Sequence, residues 1–150
     1  MTTHRVSLVT PPGTLQVKPG DTIRMAAEFD YIGPACPDAK VRFYFYSEVV
    51  LGIVNEKAFS EKAFVLPQSS APGSHVYLPP IGVNMDLVLP TSGLPAGLLY
   101  GLGVKVFNVE GKEYIFQLGK SNPPYYQWVV EVTGVISEIS NLRIASYVKV

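Results

Sequence analysis

The sequence predicts an all-β protein: an antiparallel β-sandwich of roughly seven to nine strands with an additional strand at the C-terminus. Three observations carry this reading. Valine is the commonest residue, and 20 valines with 17 aromatic residues suit a pleated, half-buried surface better than a helix. Thirteen prolines and thirteen glycines punctuate the chain at short intervals. Between them run short segments in which apolar and polar residues alternate, and no window keeps a helical period for three turns.

The elements follow in order. A first strand over residues 5–9 ends at Pro11-Pro12-Gly13, and a short one over 14–17 runs into Lys18-Pro19-Gly20-Asp21. Proline at the second turn position and glycine at the third specify a type II turn, because the third position needs a positive φ. Residues 22–31 form the clearest strand. Ile23, Met25, Ala27, Phe29 and Tyr31 share one face, while Thr22, Arg24, Glu28 and Asp30 share the other. After a loop at 33–38, residues 40–50 alternate Val41, Phe43 and Phe45 with Arg42, Tyr44 and Tyr46.

The stretch 55–66 is ambiguous: residues 55–60 are compatible with a turn of helix, while 63–66 read as strand. A long polar loop over 67–74 precedes a strand at 75–78. Val83, Met85, Leu87 and Leu89 mark the next half-buried strand. Leu94-Pro95-Ala96-Gly97 turns into a long strand over 98–108, with Tyr100, Leu102, Val104 and Val106 on one face. Glu110-Gly111-Lys112 makes a hairpin turn to 114–118, and a strand over 127–133 leads to the closing segment. No repeat, low-complexity run or linker interrupts the 150 residues, so one domain spans 1–150.

Within "LQVKPGDTIRMAAEFDYIGPACPDAKVRFYFY", residues 15–46, the chain resembles the first half of the cell-adhesion-related, immunoglobulin-like modules of bacterial and archaeal surface proteins. Those modules carry a V-x-P-G-D turn, a long alternating strand, a loop and a V-x-F-Y strand. Val17, Pro19, Gly20 and Asp21 match the turn, and Val41, Phe43 and Tyr44 match the later strand. "LPAGLLY" (94–100) is similar to the Pro-Ala-Gly-x-Tyr that opens the penultimate strand of such sandwiches, which places Tyr100 near the tyrosine-corner position. "SEISNLRIASYVKV" is similar to the last strand of immunoglobulin-like modules in phage and prokaryotic surface proteins. The likeness covers about half the chain, and the acidic, asparagine-rich ending of those modules is missing. It implies an immunoglobulin-like structural or adhesive sandwich and carries over no catalytic residue.

The residues themselves offer little chemistry. A Ser-His-Asp arrangement needs a histidine base, and only His4, near one end, and His75, in the Pro/Gly/Ser stretch, are available. No serine stands in G-x-S-x-G. Two distant histidines and one cysteine do not compose a zinc site. Asp30, Asp38 and Asp86 lack the dense alternating carboxylates of a calcium loop. Gly97, Gly101 and Gly103 lie inside a strand, in the wrong order for phosphate binding. The expectation is therefore a non-enzymatic protein with no catalytic residue, cofactor or metal.

Composition bears on partners. Charged residues make up 16%, against about 25% in typical soluble domains. Twelve basic and twelve acidic residues cancel, so self-repulsion is weak and no basic excess exists for nucleic acid. Cys36 stands alone, which rules out an intrachain disulfide, and an inert buried thiol is expected. No stretch has the character of a signal peptide or membrane span. These features favour a virion component or a module of a surface protein, with no membrane insertion.

Three surfaces are candidates. Gly101 and Gly103 leave a notch opposite the core face, which either neighbouring aromatics such as Tyr44 and Tyr46 fill or a partner uses. Tyr125, Tyr126 and Trp128 follow Pro123-Pro124, either as cover for the sandwich or as a platform for a glycan or protein partner. Strict alternation in 136–150 puts Leu142, Ile144, Val148 and Val150 on one face. Such a strand must be paired by its own sandwich, by a swapped neighbour or by an assembly accepting a donated strand. The leading functional expectation is a structural or interaction module that self-associates or decorates a larger assembly. The alternative is a carbohydrate-binding module.

Overall fold

The computed structural model describes residues 17–50, 53–94, 100–119, 127–130 and 138–150. Among the described residues nine strands form two antiparallel sheets, and there is no helix. They are β1 (Thr22–Gly33), β2 (Cys36–Val50), β3 (Ile53–Leu66), β4 (Ser69–Leu78), β5 (Met85–Val88), β6 (Tyr100–Val109), β7 (Lys112–Gly119), β8 (Gln127–Val130) and β9 (Glu138–Lys149).

The smaller sheet is built on β1. Its residues Ala27–Gly33 pair with β4 and Thr22–Met25 with β5, so β4 and β5 act as one interrupted strand along the same edge. The other edge of β1 pairs with β9 along nearly its whole length. The larger sheet runs β3-β2-β6-β7-β8. One core joins the two: Ile23, Met25, Phe29 and Tyr31 from β1 meet Val41, Phe43 and Phe45 from β2, Val104 and Val106 from β6, and Phe116 from β7. The alternation read from β1 and β2 is thus the core pattern itself. Tyr100 stacks on Phe45 with ring centroids 5.2 Å apart.

Turn chemistry behaves as its residues dictate. The Asp21 amide donates to the Lys18 carbonyl (3.0 Å) and Gly20 adopts φ +88°, completing the type II turn. The Asp21 carboxylate also accepts from the Lys18 amide at 2.9 Å, which explains the acid after the glycine. Val109 and Lys112 flank a two-residue turn in which Glu110 (φ 53°) and Gly111 (φ 78°) both have positive φ, as a type I′ hairpin requires.

Four expectations change. Residues 53–66 are strand throughout, paired along β2, with no helical turn. The polar stretch 67–74 is largely β4. Pro72 and Gly73 are tolerated there because β4 lies at an edge and its ladder to β1 shifts between Tyr31 and Gly33. Val83 is exposed, while Met85, Leu87 and Leu89 are buried. The predicted strand at 5–9 and residues 14–16 of the one at 14–17 lie outside the described residues, and Val17 is not in a strand.

The fourth change concerns the closing strand. Strand β9 pairs within the chain, but its alternation is broken twice. Ala26 faces Ser146 and Ala27 faces Ile144, so Ala145 is an extra residue. Between the Glu28–Arg143 and Asp30–Ser140 pairs, two β9 residues oppose one of β1, with Asn141 at φ 56°. Each insertion reverses which face the following side chains take. Leu142 and Ile144 are therefore in the core, whereas Val148 and Val150 are exposed and Tyr147 packs inward in their stead.

This reversal is measurable. Leu142→Ala is expected to cost about 2–5 kcal/mol, as buried leucine truncations do. Val148→Ala is expected to stay within about 0.5 kcal/mol. Urea unfolding reads both, and equal losses would put Val148 back on the core face.

Candidate functional site

The smaller sheet and its β4–β5 loop carry most of the exposed apolar side chains among the described residues, and the outer face of that sheet carries a connected set of charges. Eight large hydrophobic residues are exposed among the described residues, and six of them belong to this sheet or its β4–β5 loop: Tyr77, Ile81, Val83, Val88, Val148 and Val150. Thr22 pairs with Val88 on one side, and its carbonyl accepts from the Val150 amide on the other. Arg24 lies between Asp86 and Val148 in the next row. At a strand spacing of about 4.8 Å, the three valines fall within two neighbouring rows of three strands. Ile81 stands fully exposed in a turn closed by the Val83 amide on the Pro80 carbonyl, with Gly82 at φ +89°.

Toward the other end of β1 the face is polar. Glu28 and Asp30 alternate outward, and His75 of β4 reaches both. Its Nδ1 is 2.9 Å from Asp30 Oδ1 and its Nε2 is 2.7 Å from Glu28 Oε1. From β9, Arg143 pairs with the same Glu28 oxygen at 3.1 Å, and the Asn141 amide donates to Asp30 Oδ2 at 3.0 Å. Three strands are thus joined by five side chains. Hydrogen bonding to Asp30, and then to Glu28, raises the His75 pKa above its ordinary 6.5 against a partial desolvation that lowers it. Hydrogen bonds from Asn141 and then His75 lower that of Asp30 below 3.8.

The two carboxylates contact opposite nitrogens of the imidazole, so they do not converge with it on one point. Among the described residues no three His, Cys, Asp or Glu side chains are placed to hold a metal ion. Of the aspartates weighed for calcium, Asp86 is held by Arg24 at 2.9 Å and Asp30 by His75 and Asn141. Cys36 is buried, with its Sγ 3.5 Å from the Tyr31 hydroxyl.

The sequence-derived candidates separate. The Gly103 notch is filled from within: a Cβ there would collide with the ring of Tyr44, its direct cross-strand neighbour. The Tyr44 hydroxyl accepts from Gln117 at 2.9 Å, and Gly101 is likewise buried, opposite Tyr46. Neither glycine is a free surface: the Tyr44 ring covers Gly103, and Gly101 is buried. Tyr125 and Tyr126 lie outside the described residues, and the backbone of Trp128 pairs opposite Ile115 in β8. Leu142 and Ile144 are core residues, which leaves Val148 and Val150 as the members of that set on the surface.

Sequence reasoning did not find the His75 cluster. The alternation of Glu28 with Asp30 was visible, but the pairing that brings His75 to them depends on the β1–β4 register.

In class, then, the chain is an all-β, sandwich-like protein of two antiparallel sheets. No protein-family profile matches it, nor does any curated protein or solved structure.

Two outcomes are expected of variants. Gly103→Ala over-packs the Tyr44 ring and is expected to cost about 1–3 kcal/mol in urea unfolding. A companion Tyr44→Val change, which removes the ring, should shrink that cost. Asp30 stabilises the fold above its ordinary pKa, and this contribution is lost as pH falls through its depressed folded value. Asp30→Asn should accordingly flatten the fall in thermal midpoint below pH 3.8 relative to the parent chain.

Proposed function

We propose that this chain is a non-enzymatic, immunoglobulin-like structural module that associates with copies of itself through the outer face of the smaller sheet. The observation that carries the reading is the gathering of six of the eight exposed large hydrophobic residues on that sheet and its β4–β5 loop. Single exposed apolar residues need no explanation, but a group gathered on one sheet and its adjoining loop is what an association surface presents.

Electrostatics supports a second copy as the occupant. The charges on this face are neutralised within the chain, Arg24 by Asp86, and Glu28 by Arg143 and His75. With twelve charges of each sign overall, nothing repels an identical surface. A two-fold axis lets the same valines meet their own counterparts.

The immunoglobulin-like part of the reading is supported by strand order. Strand β1 pairs with β4/β5 in one sheet, while β2 crosses to the other and pairs with β3 and β6, and β6 continues into β7. That is the arrangement of the second to last strands of such sandwiches. The departures are β8, which extends the larger sheet beyond β7, and β9, which occupies the place beside β1 that the first strand takes in them.

Sedimentation equilibrium tests the proposal. The parent chain is expected to show a mass that rises with concentration beyond 16.4 kDa. Val88→Lys with Val148→Lys is expected to hold the chain at the monomer mass with an unchanged unfolding midpoint. A parent chain that stays monomeric up to its solubility limit overturns self-association. So does a double-lysine variant that folds and still associates.

A further inference from the structure

We propose that His75 is a proton-operated latch that fastens β4 to β1, and that losing its proton releases the segment 69–75 while leaving β9 in place. The geometry requires two donors on one imidazole. Both ring nitrogens face carboxylate oxygens, at 2.9 Å to Asp30 and 2.7 Å to Glu28. A neutral imidazole carries one N–H and one lone pair, so it satisfies one carboxylate and turns its lone pair on the other. Only the imidazolium serves both.

The groups around the ring sharpen the effect. From β1 the facing charges are Glu28 and Asp30, and from β9 Arg143 is paired to Glu28. On β4 itself the neighbour along the same face is Tyr77, which pairs across from Glu28. Each carboxylate keeps its β9 partner when His75 deprotonates, because Arg143 remains charged and the Asn141 amide does not titrate. The β1–β9 link is therefore insensitive to pH in the range where the β1–β4 link is not.

The backbone of β4 is also irregular at this point. Its ladder to β1 shifts between Tyr31 and Gly33, Pro72 offers no amide, and Gly73 sits at φ +103°. Directly beyond this irregular stretch, His75 is the cross-strand partner of Asp30. Release would uncover the hydrogen-bonding edge of β1 from Asp30 to Gly33.

The direction of the dependence follows from linkage. His75 is held above 6.5 in the folded chain, so its contribution is complete below that value and fades as pH rises through the raised one.

The experiment is a histidine proton titration by NMR, in a His4→Gln background that leaves one imidazole, together with backbone amide exchange corrected for its intrinsic pH dependence. His75 is expected to titrate above 6.5. Protection of the β4 amides is expected to fall by up to about tenfold for each pH unit between the unfolded and folded pKa values. Protection in β9 over 141–146 should stay constant. His75→Gln should remove the β4 dependence, and Glu28→Gln should reduce it while retaining the fold.

A His75 titration at or below 6.5 overturns the latch, as does an equal loss of protection in β4 and β9. So does a β4 dependence that survives in His75→Gln. Should His75→Gln fail to fold, the parent titration and Glu28→Gln decide alone. Amide exchange reports a released strand whether the chain is monomeric or associated, so its result stands apart from the mass measurement.

Discussion

A β-strand has two hydrogen-bonding edges, and in β1 both are in use. One is shared end to end by β4 and β5, and the other is taken by β9. Because β1 also alternates, its inner side chains, Ile23 to Tyr31, supply the floor of the core. Everything on the smaller sheet is consequently positioned relative to one strand. The outer face of β1 carries Arg24, Glu28 and Asp30, and each neighbouring strand brings its side chains to those three.

The two irregularities in β9 show how a pleated sheet is given two chemically different surfaces. Without them, Leu142, Ile144, Val148 and Val150 would all face one way. An extra residue at Ala145 lets the first two fill the core while the last two turn outward. The same strand thereby closes the sandwich and contributes to its exposed apolar face. The insertion at Asn141 matters for a second reason, since that side chain reaches Asp30 from the position the irregularity gives it.

The polar end of the face is arranged so that its charges answer one another across strands. Pairs of this exposure contribute little each, typically under about 1 kcal/mol. Their consequence lies in which strands they join and under what conditions. Arginine and asparagine tie β9 to β1 at any ordinary pH, while the only histidine among the described residues ties β4. One side of β1 is thus held by groups that keep their state and the other by a group that changes it.

Local and periodic features could be read from the order of residues alone. Alternation in 22–31 and 40–46 named the core faces, and Pro19-Gly20-Asp21 named its turn, since glycine alone meets a positive φ without strain. The β6–β7 hairpin was equally legible from Glu110-Gly111. Which residues face one another, by contrast, was settled only when the strands assembled. The pairing of His75 with Asp30, the burial of Gly103 beneath Tyr44 and the outward turn of Val148 all depend on register between strands far apart in the chain. A period of two specifies a face but not a partner, and one inserted residue exchanges the faces.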